Sequence, residues 1–457
     1  MASIQHATAY DTEHPRSYIQ FTTPAVCRHW RKVALDTISL WTTIRHVKFA
    51  SLKRTELYLT RSGPTVPLDI KIWLIGPKVP KEEGNLEQLE IYAKRIQEIL
   101  ASIVKNGGSV SKWKSLSFRT DIFASCVAIM DFLRPRRFPS LESLEFIFAG
   151  PWLNHPDDER MLVETYSNLT TPKLLFTKSP PQLRSIKMEG VMSLHLFGDI
   201  SRPQFVGLTD IYISFVGFHP DVDHIYSMLE ASPRLARLCF NSEGVDLGLD
   251  TIEDRVIPRM RSQPQVVLSS LVSLGFIHIV NPVWTISVLK TFRAPVLQKL
   301  ILSFWDDPDG SQLLVDYISN QGTGSSPYFP TTINELSFFT MTGEKPDPES
   351  LLRAYPNIDA FYTGSLAALL KRPWLLPNLR FLSAAIQDVA ELKNVVVGRC
   401  RDGLPLNEVE LRWFGDGPLP SEDEEQIGKL VNLTVRTLSL TGEEDDSDSD
   451  GAGEEQS

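Results

Sequence analysis

Apolar positions along this chain recur in one arrangement, Leu-x-x-Leu-x-Φ, where Φ is apolar and a proline often stands just ahead. The clearest copies are Pro139, Leu141, Leu144 and Phe146; Pro233, Leu235, Leu238 and Phe240; and Pro295, Leu297, Leu300 and Leu302. Pro377, Leu379 and Leu382 begin another that closes on Ala384, and weaker copies begin at Trp113, Leu183, Leu208, Leu271, Ile333, Ile358, Leu406 and Val435. Successive first positions lie about 21–42 residues apart, mostly within or near the spacing of leucine-rich repeats, and the longer gaps have room for loop insertions. The last two apolar positions are two apart, so on a strand they share a face, while the first Leu turns in from the preceding corner. One such strand cannot shield its own apolar face. Copies must stack, which makes one curved parallel sheet with a continuous core.

Helical windows lie between these strands. Residues 86–104 place Leu89, Tyr92, Ile96, Ile99, Leu100 and Ile103 on one i, i+3, i+4 stripe. Residues 224–232 read as a helix stopped by Pro233, and 282–292 read the same way. Ser421 with Glu424 has the spacing of a capping box before Ile427, Leu430 and Val431. The fold expected is α/β: an irregular leucine-rich-repeat-like solenoid, with helices on the outer face of the sheet. Alternating strands and helices also describe a doubly wound sheet or a barrel, but neither requires a shared motif ahead of each strand. The Asn or Cys that regular repeats carry at a fixed place after the motif is missing, so the array is degenerate.

The stretch 24–44, PAVCRHWRKVALDTISLWTTI, has a different character. Val26, Trp30, Val33, Ala34 and Thr37 follow helical spacing, and Leu40 and Trp41 can fold back onto the helix. Val26, Cys27, Arg28, Trp30, Arg31 and Ala34, then Leu40, Trp41 and Ile44, resemble the second half of the F-box-like domain common in fungal proteins. A helix over 51–61 and a strand over 67–73 also look like that family, in which a variable leucine-rich-repeat region follows. The first half, opening with Leu-Pro-x-Glu, has no counterpart before Pro24. The resemblance implies adaptor work: F-box segments dock on the Skp adaptor of a cullin ubiquitin ligase, and the repeats hold a target protein. It implies Val26, Cys27, Trp30, Ala34, Leu40, Trp41 and Ile44 as the adaptor-contact or core residues. The organisation expected is a poorly ordered 1–23, a partial F-box-like segment at 24–50, the solenoid at 51–440 and a disordered acidic tail at 441–457.

Charge narrows the partner class. The formal net charge is −10, but residues 443–455 hold eight acidic residues and no basic one, which leaves −10 + 8 = −2 for the rest. A nearly neutral body argues against a nucleic-acid grip, which needs clustered Lys and Arg, and the one local cluster, Arg134, Arg136 and Arg137, reads better as a solvated loop. Cys27, Cys126, Cys239 and Cys400 show no paired spacing, so neither a disulfide framework nor a zinc cluster is expected. No signal-peptide-like apolar stretch opens the chain and no run is long enough to span a membrane, which points to cytosol or nucleus.

The search for chemistry ends without a catalytic, cofactor or metal site. His155 with Asp157, Asp158 and Glu159, and His219 with Asp221, Asp223 and His224, look like ligand clusters but read better as solvated loops. The remaining function is recognition by a non-enzymatic module, a monomer outside its complex, and its alternative is a repeat scaffold with no ubiquitin role. Exposed positions of the repeats are the candidate partner-binding residues: Glu142, Glu145, Arg184, Lys187, Arg234, Arg237, Lys299, Glu410 and Arg412, with Ser143, Gln298 and Glu408 beside them.

Overall fold

The structure, a computed structural model, describes residues 27–47, 52–74, 86–149, 174–191, 193–245, 264–305, 308–320, 326–340, 346–415 and 418–437. Val26, the two terminal stretches and the His155–Glu159 cluster lie outside the described residues.

Among the described residues, fourteen strands form one sheet in unbroken chain order, every pair parallel. They are β1 (Thr43–Val47), β2 (Leu68–Leu74), β3 (Trp113–Thr120), β4 (Ser143–Phe148), β5 (Ser185–Glu189), β6 (Asp210–Gly217), β7 (Arg237–Val245), β9 (Ser273–Ile279), β11 (Lys299–Phe304), β12 (Glu335–Thr340), β13 (Ala360–Thr363), β14 (Phe381–Ile386), β15 (Glu408–Trp413) and β16 (Asn432–Thr437). Two short strands, β8 (Val266–Val267) and β10 (Phe292–Arg293), pair only with each other. Helices α1 (Arg28–Asp36), α2 (Leu52–Ser62), α3 (Leu86–Lys105), α4 (Phe123–Leu133), α5 (Ser193–Leu196), α6 (Val222–Glu230), α7 (Pro282–Leu289), α8 (Pro308–Asn320), α9 (Glu349–Ala354), α10 (Val389–Arg401) and α11 (Ser421–Gly428) occupy the connections. The chain is therefore a mixed α/β, solenoid-like stack. A doubly wound sheet would reverse its strand order, and this one does not.

The register divides the strands into five rows, of which the four-residue β13 holds the first four. Row 2 is apolar in all fourteen strands, from Ile44 and Ile70 through Leu144, Leu238 and Leu300 to Leu433. Row 4 is almost as apolar, with Phe118, Phe146, Phe240 and Phe276 in its middle. These two rows meet the helices in one core, where Ile96, Ile99, Leu100 and Ile103 of α3 join Ile70 and Leu116. Burying a Leu or Phe side chain stabilises by about 1.5–3 kcal/mol, and only stacking removes both of its flanks from water.

The recurrent proline has a mechanical reason. In six motifs with a proline ahead, the first apolar residue donates its N–H to the carbonyl three residues back: Leu141 to Phe138, Leu183 to Pro180, Leu235 to Ser232, Leu297 to Ala294, Ile358 to Tyr355 and Leu379 to Leu376. The proline is the second residue of that turn, where its fixed φ is already the one required.

Two expectations change. The last repeat does not begin at Val435: the register puts Leu433 in row 2 and Val435 in row 4, so its first position is Leu430. Ser421 and Glu424 form no capping box, because the helix begins at Ser421 behind Pro420, whose carbonyl accepts from Asp423 and Glu424. The apolar stripe on α1 lies largely at the surface. Only Ala34 is buried there; Trp30, Val33 and Leu35 are 50%, 40% and 41% exposed, and Ile38, in the turn just after the helix, 46%.

The expected folding-back of Trp41 is present. Its indole Nε1 donates to the Ala34 carbonyl at 2.8 Å, its ring meets Tyr58 edge-on at 5.3 Å, and the Arg61 guanidinium lies 4.4 Å from the ring centre. Trp41, Ile44 and His46 stand where the first, second and third apolar residues of a repeat stand. Strand β1, within the 24–50 segment, is thus the first strand of the sheet. Leu40 is half-buried against the core, and Cys27 caps α1 with its Sγ 3.5 Å from the Trp30 N–H.

Candidate interaction surface

Rows 1, 3 and 5 point away from the helices and form the open face of the sheet. Strand alternation dictates this: with rows 2 and 4 inward, the odd rows face outward. Of the residues expected there, Ser143, Arg237, Lys299 and Glu408 lie in row 1, Glu145, Lys187 and Glu410 in row 3, and Arg412 in row 5. Glu142, Arg184 and Gln298 do not join them. They precede their strands and build a backbone ladder along one rim, with Arg184 N bonded to Glu142 O and Asn334 N to Gln298 O. Arg234 is exposed in the turn before Leu235, also off the face.

Charge on the open face is largely self-matched. Lys187 pairs with Glu189 at 3.1 Å, Arg237 pairs with Asp210, Lys299 pairs with Glu335, and Glu410 lies between Arg412 and Arg436. Exposed pairs of this kind add little stability, about 0–1 kcal/mol each, and serve orientation better than affinity.

Between these charged stretches lies a neutral strip. From β7 to β12, row 3 reads Cys239, Gly275, Ile301 and Ser337, and row 5 reads Asn241, Ile277, Ser303 and Phe339. A side chain at Gly275 would put its Cβ 2.9 Å from Cys239 Sγ, so glycine keeps the floor of the strip low. Burial pushes the Cys239 thiol up to about 12, which leaves it protonated near neutral pH and a poor nucleophile.

The strip ends at a hydrogen-bonded cluster that sequence reasoning missed. Asn241 Nδ2 donates to the Tyr212 hydroxyl at 3.4 Å, and His278 Nδ1 lies 3.0 Å from Asn241 Oδ1 and 3.5 Å from Glu243 Oε2. Trp305, 40% exposed, meets the His278 ring edge-on at 5.6 Å. His278 has φ 50°, the one positive value at a non-glycine among the described residues, and it sits where the β9–β11 register slips. Such bulges re-aim side chains, here turning an imidazole toward Asn241. Burial holds its pKa below the ordinary imidazole value, against the pull of Glu243. No sequence signal marks a left-handed histidine, but Tyr212 and Asn241 could have been found by counting rows 3 and 5 from each motif.

The second ligand-like cluster is dispersed. His219 is buried rather than solvated, stacked on Trp284 at 4.2 Å with Nε2 2.9 Å from Ser242 Oγ. His224 packs beside Phe197 on α6. Among the described residues no three His, Cys, Asp or Glu side chains stand close enough to hold a metal ion, and no helix is long and apolar enough to cross a membrane.

No protein-family model matches this chain, and no curated protein sequence does.

Proposed function

We propose that the chain is a non-enzymatic receptor: an irregular leucine-rich-repeat array, curved so that the open face is concave, which binds a target protein and presents it to a Skp/cullin ubiquitin ligase in the cytoplasm or nucleus. The observation that carries the recognition half is the neutral Cys239–Ser337 strip bounded on both sides by matched charge. An apolar centre with a polar rim is the anatomy of a protein interface. Ile301, half-buried in the strip, is the central anchor position.

The ligase half is supported by α1. Its resemblance to an F-box-like segment goes with an exposed apolar surface of Trp30, Val33 and Leu35, continued by Ile38 in the next turn, and exposed tryptophan is a frequent hot spot. The test is co-purification with a Skp-type adaptor. The full chain is expected to co-elute with it, and Trp30→Ala with Val33→Asp to weaken the complex at least tenfold at unchanged melting temperature. Failure of the wild-type chain to bind any Skp-type adaptor would remove the ligase role and leave the repeat-scaffold alternative.

A further inference from the structure

Three times the open face sets an aromatic ring, a cation and a carboxylate side by side from its own strands. The Trp73 ring centre lies 4.8 Å from the Arg119 guanidinium, which pairs with Glu145. The Tyr212 ring lies 5.5 Å from Lys187 Nζ, which pairs with Glu189. The Tyr362 ring lies 5.9 Å from Lys299 Nζ, which pairs with Glu335. A fourth set, at the C-terminal rim of the face, has the ring and the carboxylate without the cation. Glu243 stands two residues past row 5 of β7, Trp305 follows the last residue of β11, and the bulged His278 of β9 lies between those strands. Glu243 Oε2 is 3.5 Å from His278 Nδ1, and Trp305 meets the same imidazole at 5.6 Å. Among the described residues no Lys or Arg reaches either of them. Both are open to solvent: Trp305 is 40% exposed and the Glu243 side chain 42%.

The histidine that braces the pair is fixed in its proton placement. The Glu243 N–H donates to Asn241 Oδ1 at 3.1 Å, which sets the orientation of that amide. His278 Nδ1, 3.0 Å from the same oxygen, must therefore be a donor, and Nε2 carries the lone pair. Burial keeps the ring neutral near pH 7, so it adds an acceptor and leaves the Glu243 charge unanswered. The left-handed backbone at His278 is the kind of strain that persists where the surroundings hold a side chain in place for a task. Strands spaced about 4.8 Å apart leave roughly 10 Å between the β7 and β11 backbones, room for one ammonium or guanidinium group. A carboxylate and an indole face attract the same ion. We infer that Glu243, Trp305 and His278 form a recognition site for one lysine or arginine side chain of the bound polypeptide, whose cation completes the fourth set.

The inference rests on the proposal that the open face binds a polypeptide, and the experiment separates the two. The Trp305 indole N–H resonance of the full chain, assigned with Trp305→Phe, is followed as butylammonium or propylguanidinium chloride is added at constant ionic strength. A saturable shift of that resonance, with the other eight of the nine indoles unmoved, is expected. Glu243→Gln, a conservative change at an exposed side chain, is expected to weaken it roughly tenfold, as the loss of a charged hydrogen-bond partner does. Capped Ala-Lys-Ala and Ala-Arg-Ala peptides should give the same shift, and capped Ala-norleucine-Ala none. No shift, an equal shift in the wild-type and Glu243→Gln chains, or an equal response to the lysine and norleucine peptides would overturn the site. A cation response that survives while Ile301→Arg leaves target binding intact would instead overturn the recognition surface and keep the site.

Discussion

Trp41→Ala is expected to cost about 3–5 kcal/mol, the range for truncating a fully buried large aromatic. Trp41 is completely buried, and its loss also strands the Ala34 carbonyl and removes ring contacts with Tyr58 and Arg61. Because a solenoid couples mainly to its nearest neighbours, the damage should be local. Amide exchange in β1 should accelerate strongly while β14 and β15 keep their protection. Trp41→Phe keeps part of the packing but leaves the carbonyl unpaired, at about 1–3 kcal/mol. Trp30→Ala, at an exposed position, should change stability by no more than about 0.5 kcal/mol. Equal losses for Trp30→Ala and Trp41→Ala would contradict the placement of α1.

The second large effect is a pH dependence located at His46. This residue occupies row 4, where other strands carry Ile72, Phe118 or Phe146. It is 1% exposed, and neither ring nitrogen has a hydrogen-bond partner among the described residues. Burial first, and the nearby Arg95 cation second, lower its pKa to about 4. The unfolded chain takes up this proton near pH 6.5, before the folded chain does. The stability associated with the neutral ring is complete above about 6.5 and is lost as pH falls toward about 4. Between pH 7 and pH 5 that amounts to about 2 kcal/mol. His46→Leu should abolish this part of the acid sensitivity and raise stability at pH 5 more than at pH 7. Denaturant unfolding of both proteins at the two pH values measures it, and parallel acid losses would show that another group titrates.

Much of the sheet was legible because its grammar is local. A corner Leu, a row 2 residue three later and a row 4 residue five later are fixed by one turn and one strand, and Leu141, Leu144 and Phe146 show it. The last repeat was misphased because Leu430-x-x-Leu433-x-Val435 and Val435-x-x-Leu438-x-Leu440 both fit the pattern, and only pairing with β15 chooses between them. Strand β1 was hidden because His46 breaks the apolar series and Trp41 also fits the F-box-like reading. The exposed side of α1 could not be read from spacing, since an apolar stripe records what can be buried and not what a neighbour covers. The open face was half legible. Glu145, Lys187 and Glu410 follow directly from the motif, but Trp73 and Arg119 lie one strand step further on, in row 5. Trp73 meets the Arg119 guanidinium only because that residue arrives from a neighbouring strand distant in sequence. The His278–Asn241–Tyr212 cluster depends on a register slip, a property of pairing and not of composition.

Two separable binding surfaces are the central claim, one on α1 and one on the open face. The direct measurement is quantitative recovery of the Skp-type adaptor and of the bound target with wild-type, Trp30→Ala and Ile301→Arg chains of equal melting temperature. Trp30→Ala should lose the adaptor and keep the target, and Ile301→Arg should keep the adaptor and lose the target at least tenfold. Loss of both partners from either variant, or of neither from both, would contradict it.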